Sequence, residues 1–396
     1  MIIMPLGVAS ATPTSTRHLS SVALWREGST YLFDCGENTQ MRMLQAGMKR
    51  SKIEYIFISH MDGDHIFGLL GLLSTFQLQR RDKKLTIVGP KKIKDFVQSN
   101  MKLTGLDLNY EINYTLLKEK FDHEVVVDEA DFYVEARPLE HTSFCVGYRF
   151  QEKDKPGKVD AQKAGEFGIT KDSDFKTLKA GSDVELEDGT LVRSSDIVGE
   201  AQAGESFAYV TDTVFCENAV KLADNVTILY HEATFSHTLK GKAEETGHSS
   251  AQEAAIVAKT ANAGKLVLSH FSARYTNPFV LLKEAKEVFP ESVVAAELKQ
   301  IMTKPHLEKG IIKPTVELVD ANFKPKAQPE PKKKFIPKKT SGTKKRFTKR
   351  TNSRYYKSSD GDRPVRHERV RKDNPHKPKK PLPITPRTPF DDFDRF

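Results

Sequence analysis

Five short β-rich runs in this chain each end in a side chain that can bind a metal ion or carry a proton. The runs are IEYIFISH, VEARPLEH, FAYVTD, TILYHE and KLVLSH, and they end at His60, His141, Asp212, Glu232 and His270. Helical segments lie between them, which predicts a mixed α/β fold. One such helix is expected to begin at the capping box Ser250-Ala-Gln-Glu253 and to end at Gly264. The pattern places the chemistry at the carboxyl ends of strands, the general rule for α/β sheets.

The sharpest motif is Ser59-His60-Met61-Asp62-Gly63-Asp64-His65, which precedes an apolar run, IFGLLGLLSTF, that is expected to be helical. A loop can fold its four potential ligands around cations, and we expect Gly63 to permit a sharp backbone turn. Imidazole together with carboxylate suits zinc, manganese or iron. The alternative interpretation is a surface turn with acidic residues present by chance. Taken alone, His141 or His270 would more often be a hydrogen-bonded core histidine.

The formal net charge of +9 is divided unevenly along the chain. Residues 324–396 contain 24 Lys and Arg against 8 Asp and Glu, a net charge of +16, whereas residues 1–323 contain 38 against 45, a net charge of −7. Apolar periodicity also ends near Phe323, so we expect one domain over residues 1–323 and a disordered basic tail over residues 324–396. Lysines interleaved with aromatic residues suit non-specific RNA binding by the tail. A solubilising extension is the alternative.

Cysteine content and hydropathy indicate the compartment. The three cysteines, Cys35, Cys145 and Cys216, are odd in number and form no CxxC pair, which argues against a disulfide framework and suits a reducing compartment. No run approaches the ~20 apolar residues that a membrane span needs. The N-terminal MIIMPLGVASATPT predicts a first strand and not a signal peptide. We therefore expect a cytoplasmic protein.

Several motifs together resemble those of the tRNase Z (ribonuclease Z) family. The segment from His60 to His65 resembles the HxHxDH signature of the metallo-β-lactamase superfamily. LGVASATPT, SSVAL and FDCGENTQ resemble the N-terminal signature of the tRNase Z family, and HEATF, GHSS and LSHFSARY resemble its later ones. HxHxDH marks only the superfamily, whereas the later elements in this order are specific. The resemblance spans roughly residues 1–321 and implies an αββα sandwich.

The resemblance also implies a binuclear metal site and two proton-transfer groups. One cation would be held by His60, Asp62 and His141. The other would be held by Asp64, His65 and His270. Asp212 would bridge the two cations, which would activate a water for in-line attack on phosphorus. Asp64 would orient or deprotonate that water, while His248, held by Glu232, would protonate the departing ribose oxygen. The alternative for His248 is a capping or loop histidine, although a histidine at a helix start is well placed as an acid.

Position 62 departs from the family pattern, which usually has a second histidine there. With two divalent cations, three aspartates and a hydroxide, the site would be neutral, whereas histidine at this position would leave one net positive charge. Less positive charge means a weaker pull on water and phosphate. Zinc is the expected metal, and Asp62 shifts the preference towards manganese. Alternatively, Asp62 points away and the first metal site is weak.

The insert at residues 150–199, between His141 and Asp212, resembles the arm with which the family grips the tRNA elbow. An ordinary surface insertion is the alternative. Four lysines of the insert are candidate phosphate contacts: Lys153, Lys155, Lys158 and Lys163. Its expected tip, residues 169–174, reads ITKDSD, which is more acidic than the usual Gly-Pro-rich tip.

The sequence therefore predicts a tRNA 3′-processing endoribonuclease that acts on precursor tRNA. Cleavage 3′ of the discriminator nucleotide would leave a 3′-hydroxyl on the tRNA and a 5′-phosphate on the trailer. The length of the body resembles the short forms of the family, which implies a homodimer. Two other functions remain open: a different hydrolase of the superfamily, acting on a cyclic nucleotide, a thioester or a small phosphodiester, and a non-catalytic RNA-binding relative.

Overall fold

Strands and short helices alternate through residues 1–303, the part of the chain that this computed structural model describes. The strands are β1 Ile2–Gly7, β2 Ser21–Arg26, β3 Ser29–Phe33, β4 Ile53–Phe57, β5 Leu85–Pro90, β6 Ile112–Leu117, β7 Glu124–Asp128, β8 Phe132–Leu139, β9 Cys145–Glu152, β10 Val184–Glu185, β11 Leu191–Val192, β12 Ser206–Val210, β13 Ile228–Glu232, β14 Leu266–Ser269, β15 Ser292–Val294 and β16 Ile301–Met302. The helices are α1 Thr39–Gln45, α2 Gly63–Ile66, α3 Leu69–Leu78, α4 Lys92–Thr104, α5 Ala161–Glu166, α6 Asp172–Lys179, α7 Ser194–Ile197, α8 Glu217–Leu222, α9 Lys240–Thr246, α10 Ala251–Thr260 and α11 Phe279–Val288. The expected tail, residues 324–396, lies outside the described residues.

Two seven-stranded sheets contain most of these strands. The first has the order β16-β1-β2-β3-β4-β5-β6, and the second has the order β15-β14-β13-β12-β9-β8-β7. In the first sheet β3, β4, β5 and β6 are parallel, and in the second β12, β13, β14 and β15 are parallel. Parallel strands with helical connections need cover on both faces of a sheet, which agrees with their nearly continuous burial.

The sheets pack face to face through an aromatic core. Phe33 lies edge-on to Phe207 with ring centroids 5.3 Å apart, and the Phe57 and Tyr148 centroids are also 5.3 Å apart. Strand alternation sends the neighbouring side chains Leu32 and Ile56 to the opposite face of the first sheet. Aromatic side chains supply large buried areas, so this layer is a major source of stability.

Helices cover the outer face of each sheet. Leu72, Phe76 and Ile93 from α3 and α4 pack on the first sheet. Alanines of α10 and Leu281 of α11 pack on the second sheet, where small residues allow the helix to approach closely. The architecture is therefore the αββα sandwich that the sequence predicted. No helix within residues 1–303 is long and apolar enough to cross a membrane.

The insert between β9 and β12 has a small hydrophobic core of its own. This core is built from Ala164, Ile169, Leu178, Val192 and Ile197, which come from or lie beside α5, α6, β11 and α7. The two chains at the base of the insert are joined by backbone bridges that pair residue 155 with 202 and residue 159 with 198. Of the residues expected at the acidic tip, Ile169 is instead buried in this core, while residues 170–173 are exposed and α6 begins at Asp172.

Candidate metal centre

The chain places polar side chains at the carboxyl ends of strands from both sheets. His60 follows β4, Asp212 follows β12 and His270 follows β14, while Asp64 and His65 lie in α2 after the β4 loop. Asp212 and His270 have positive φ angles of 32° and 57°. Non-glycine residues in this region cost on the order of 1–3 kcal/mol, and such strain clusters at functional sites.

Four of these side chains form one compact group. The potential ligand atoms of Asp64, His65, Asp212 and His270 all lie within 4.8 Å of one another. Nε2 of His65 is 3.4 Å from Oδ2 of Asp64 and 3.5 Å from Oδ1 of Asp212. Nε2 of His270 is 3.6 Å and 3.2 Å from the same two oxygens. Donors about 2.1 Å from one tetrahedral cation would stand roughly 3.4 Å apart, so the spacing suits a metal ion.

A second group contains His60, Asp62 and His141, whose potential ligand atoms also lie within 4.8 Å of one another. Oδ2 of Asp62 is 3.6 Å from Nε2 of His60 and 3.7 Å from Nε2 of His141. The carboxylate at position 62 therefore faces its two histidines. It is nevertheless 48% exposed, and the Ser143 hydroxyl donates a 3.4 Å hydrogen bond to it.

Asp212 joins the two groups. Its Oδ1 faces His65 and His270, while its Oδ2 lies 3.6 Å from Nε2 of His60. Within residues 1–303, the buried Nε2 atoms of His60, His65 and His270 have no hydrogen-bond partner. Buried polar atoms are seldom left unpaired, and three converging imidazole nitrogens are the donors that zinc-like cations prefer. The residues present thus fit two divalent cations that share Asp212.

The pKa values of His60 and Asp212 are both lowered, the first by burial and the second by the neighbouring histidines. Burial lowers the pKa of His60 to about 4, so its imidazole is neutral, the form that ligates metals. Burial alone would raise the pKa of Asp212, but His270, His65 and His60 outweigh it and hold that pKa well below its usual range. The carboxylate is thereby kept in its charged, ligating form.

Asp34 anchors the cluster from behind, a role that the sequence analysis did not assign. Its fully buried carboxylate accepts hydrogen bonds from the backbone and hydroxyl of Ser59, each at 2.7 Å, and from the Tyr209 hydroxyl at 2.8 Å. It also lies 2.7 Å from Nδ1 of His65. Such a partner fixes the ring orientation of a ligating histidine and directs its Nε2 towards the metal. Because Asp34 directly follows β3, the rule of polar residues at strand ends would have found it.

Glu232 and His248 form a pair beside both groups. The two side chains meet at 3.0 Å through Nδ1 of His248, and Glu232 also accepts a hydrogen bond from Thr234 at 2.6 Å. The His248 ring centroid lies 5.3 Å from that of His141 and 5.4 Å from that of His270. Burial lowers the pKa of His248, but Glu232 outweighs it and raises the pKa to about 9. Nε2 of His248 has no hydrogen-bond partner within the described residues.

Comparisons with known proteins find relatives over most of the described chain. A ribonuclease Z of Salinibacter ruber is 40% identical over 304 residues, which cover 76% of this chain and 94% of the relative. A ribonuclease Z of Bacillus cereus strain G9842 is 38% identical over 299 residues, covering 74% of this chain and 96% of the relative. The family model of Anti-Pycsar protein Apyc1 matches residues 1–145.

Solved structures give a concordant result. Human tRNase Z, short form, superposes with a TM-score of 0.56 at 27% identity and covers 77% of this chain and all of that one. The metallo-β-lactamase fold protein YhfI from Bacillus subtilis superposes with a TM-score of 0.52 at 17% identity, covering 76% of this chain and 98% of that one. The likeness to YhfI concerns the fold alone, whereas the likeness to human tRNase Z extends to the sequence.

Proposed function

Because the chain belongs to the ribonuclease Z family, we propose that it hydrolyses the phosphodiester bond 3′ of the discriminator nucleotide in precursor tRNA. It is a metal-dependent tRNA 3′-processing endoribonuclease. One observation carries the proposal: two groups of ligating side chains share Asp212, and the His248–Glu232 pair lies directly beside them. A shared carboxylate suits two cations, and an adjacent imidazole suits protonation of a leaving oxygen.

Two divalent cations would be held by the residues that the geometry groups together. One would take His60, Asp62 and His141, the other would take Asp64, His65 and His270, and Asp212 would contact both. When bound, such cations polarise the phosphodiester and increase the acidity of water at neutral pH. We propose zinc as the resident metal, with manganese favoured at the Asp62 group because carboxylate is a harder ligand than imidazole.

Asp64 is the residue proposed to guide the attacking water. Its side chain belongs to one ligand group and is 12% exposed, so water can reach it. Burial by itself raises the pKa of Asp64, but His65 and His270 outweigh it and hold that pKa far below its usual range. The carboxylate therefore stays ionised and can accept a hydrogen bond that orients the water. With cations bound, it would also take the water proton as the water oxygen bonds to phosphorus.

His248 is the proposed general acid. Glu232 holds Nδ1, which leaves Nε2 to deliver a proton to the ribose O3′ as the P–O3′ bond breaks. The atoms of the reaction balance. The water oxygen becomes part of the trailer phosphate, and O3′ of the discriminator ribose gains a proton and becomes a hydroxyl. The products are a tRNA 3′-hydroxyl and a trailer with a 5′-phosphate.

Four further assignments complete the proposal. The insert at residues 150–199 contacts the tRNA away from the cleavage site, and the tail of residues 324–396 contacts RNA through charge. The enzyme acts as a homodimer, as the short forms of the family do. The cytoplasm is its compartment, which agrees with three free and buried cysteines.

The direct test is cleavage of one 3′-extended precursor tRNA by the purified full-length protein, with both product ends mapped. We expect a discriminator 3′-hydroxyl and a trailer 5′-phosphate, and no product from the Asp212→Ala variant. A small phosphodiester and a cyclic nucleotide are assayed in parallel. Faster turnover of either one than of the tRNA would favour a different hydrolase of the superfamily, while inactivity on all substrates with full metal content would favour a binding protein.

His248→Ala should slow single-turnover cleavage by about 100- to 10,000-fold, the range typical of a positioned acid. Metal content and precursor binding should change little, because His248 is in neither proposed ligand group. The matched control is His123→Ala, since His123 is partly exposed and pairs with Glu135 on another part of the second sheet. An unchanged rate at saturating His248→Ala enzyme would remove this residue from the mechanism.

A further inference from the structure

A cavity of about 460 Å³ lies beside the ligand loop and plays no part in the chemistry described above. Its walls come from the loop before β2, from the loop after β3, from α1 and from the junction of α2 with α3. The residues that matter to its chemistry are Pro13, His18, Glu37, Asn38, Gln40 and Phe67. The cavity is open to solvent, and its volume lies within the range of small-molecule sites in proteins.

Phe67 connects this cavity to the metal ligands. It follows His65 by two residues, and its ring covers Gly63 so closely that a Cβ there would lie 2.3 Å from the ring. Gly63 has no positive φ, so the glycine makes room for this ring and does not serve a special turn. The Phe67 side chain is nevertheless 64% exposed. A large aromatic residue in this position offers one ring face to a ligand at the site.

The polar wall is fixed in place but has free hydrogen-bonding groups. The Glu297 carboxylate accepts a hydrogen bond from the His18 backbone N–H at 2.6 Å, and it lies 2.7 Å from Nδ1 of the His18 ring. Gln40 accepts a hydrogen bond from Thr75 at 2.7 Å, so its amide nitrogen remains as a donor. Within residues 1–303, the side chains of Glu37 and Asn38 have no hydrogen-bond partner. Donors, acceptors and an exposed ring match the edge and face of a nucleobase, while the Glu37 carboxylate disfavours a phosphate.

We propose that this cavity binds the base of the nucleotide immediately 3′ of the scissile bond, stacked on Phe67 with Glu37, Asn38 and Gln40 at its edge. The assignment rests on the proposed function. His248, which protonates O3′ of the nucleotide on the 5′ side, does not line the cavity. The 5′ nucleotide therefore lies towards His248, and the cavity bordering the Asp64 loop receives the first nucleotide of the trailer.

The test pairs one protein change with one substrate change. Full-length wild type, Phe67→Leu and Phe67→Trp are assayed under kcat/KM conditions on a precursor tRNA with either a normal or an abasic first trailer nucleotide. Stacking on one base supports an expected loss on the order of 10-fold for Phe67→Leu with the normal substrate. The abasic substrate should cost wild type a similar factor and should make Phe67→Leu no worse. Phe67→Trp should retain the wild-type preference.

Phe279→Leu is the matched control, because Phe279 is 61% exposed on α11 and does not line the cavity. Oligomeric state and melting temperature are measured for each variant, so that a loss of assembly is recognised. If Phe67→Leu lowers kcat/KM equally on both substrates, or on neither, the base does not stack there and the inference is overturned. Coupling to an abasic discriminator nucleotide instead would also overturn it. Failure of wild type to cleave the normal precursor would refute the proposed function, a separate outcome.

Discussion

Asp62 faces His60 and His141 but is more exposed than the other carboxylates of the cluster. Its carboxylate is 48% exposed, whereas that of Asp64 is 12% exposed and that of Asp212 is 5% exposed. An exposed carboxylate loses hydration and rotamer freedom when it binds a cation, so its contribution to affinity is reduced. The observation also removes one alternative, since the carboxylate does not point away from His60 and His141.

Asp62→His should therefore raise zinc occupancy and lower the preference for manganese. The imidazole is a softer donor, and the substitution restores one net positive charge to the pair of sites. The measurement is metal content after dialysis against equal concentrations of the two ions. Asp62→Asn serves as the control that removes charge without supplying an imidazole. Identical metal content in wild type and Asp62→His would show that position 62 does not bind metal.

Asp34→Asn should weaken metal binding by about 10- to 100-fold, the usual effect of losing a partner behind a ligating histidine. The substitution keeps the shape of the side chain but removes the charge that faces Nδ1 of His65. Chelator competition measures the affinity, and Glu152→Gln is the control, since that buried carboxylate binds Arg26 far from the site. Equal losses in the two variants would point to a general effect on folding.

Residues at strand ends were predictable, whereas a residue that orients them from outside a strand end was not. A strand pattern followed by His60, Asp212 or His270 is visible in the sequence because the polar residue interrupts an apolar run. Thr234 was not predicted, although its hydroxyl lies 3.0 Å from Nδ1 of His270. Its role depends on which neighbour the tertiary fold places against its hydroxyl, and no local spacing encodes that contact.

The ends of helix α10 also differ in how far the sequence could predict them. The capping box at Ser250 and Glu253 is present as expected, because both of its hydrogen bonds are local. The predicted end at Gly264 is wrong, since α10 ends at Thr260 with Ala261 as its C-cap. Gly264 instead lies against the backbone of Thr227, where a Cβ would be 2.8 Å from the carbonyl oxygen. A glycine required by tertiary packing was thus interpreted as a local helix stop.

The insert should be removable without loss of the metal centre, because its core is separate from the two cores of the sandwich. Deleting residues 157–199 and joining the ends through two glycines should leave metal content and small-phosphodiester hydrolysis near wild type. KM for precursor tRNA should rise by about tenfold or more, equal to ~1.4 kcal/mol of lost binding. An unchanged KM would identify the insert as an ordinary surface element.

Two of the four candidate lysines of the insert are paired with carboxylates and so offer less charge to RNA phosphates than the sequence indicates. Lys153 pairs with Asp128 at 2.7 Å, and Lys155 pairs with Glu27 at 3.0 Å. Of the four candidate lysines, Lys158 and Lys163 have no ion pair within the described residues. Exposed pairs of this kind contribute little to stability, yet they reduce the charge that can meet phosphate. We therefore expect the larger part of the electrostatic attraction to RNA to come from elsewhere in the chain.

The basic tail is the candidate for that attraction, since residues 324–396 carry +16 while residues 1–323 carry −7. Deleting the tail should leave single-turnover cleavage at saturating enzyme nearly intact, because every proposed metal ligand precedes residue 271. Precursor binding should weaken, and its dependence on salt should flatten. If about a third of the tail charge meets phosphate, the slope of log K against log salt should change by roughly 3 to 4 units, at about 0.7 per phosphate.

The measurement is precursor binding by full-length and truncated protein across a salt series, with metal content checked in both. A matched control replaces the lysines and arginines of the tail by glutamine and keeps its length, which separates charge from steric effects. The control should reproduce the flattened slope, because counterion release depends on charge and not on chain length. Equal slopes for all three proteins would show that the tail does not contact RNA. The aromatic segment at Phe390–Phe396 would then be tested for binding to a protein partner.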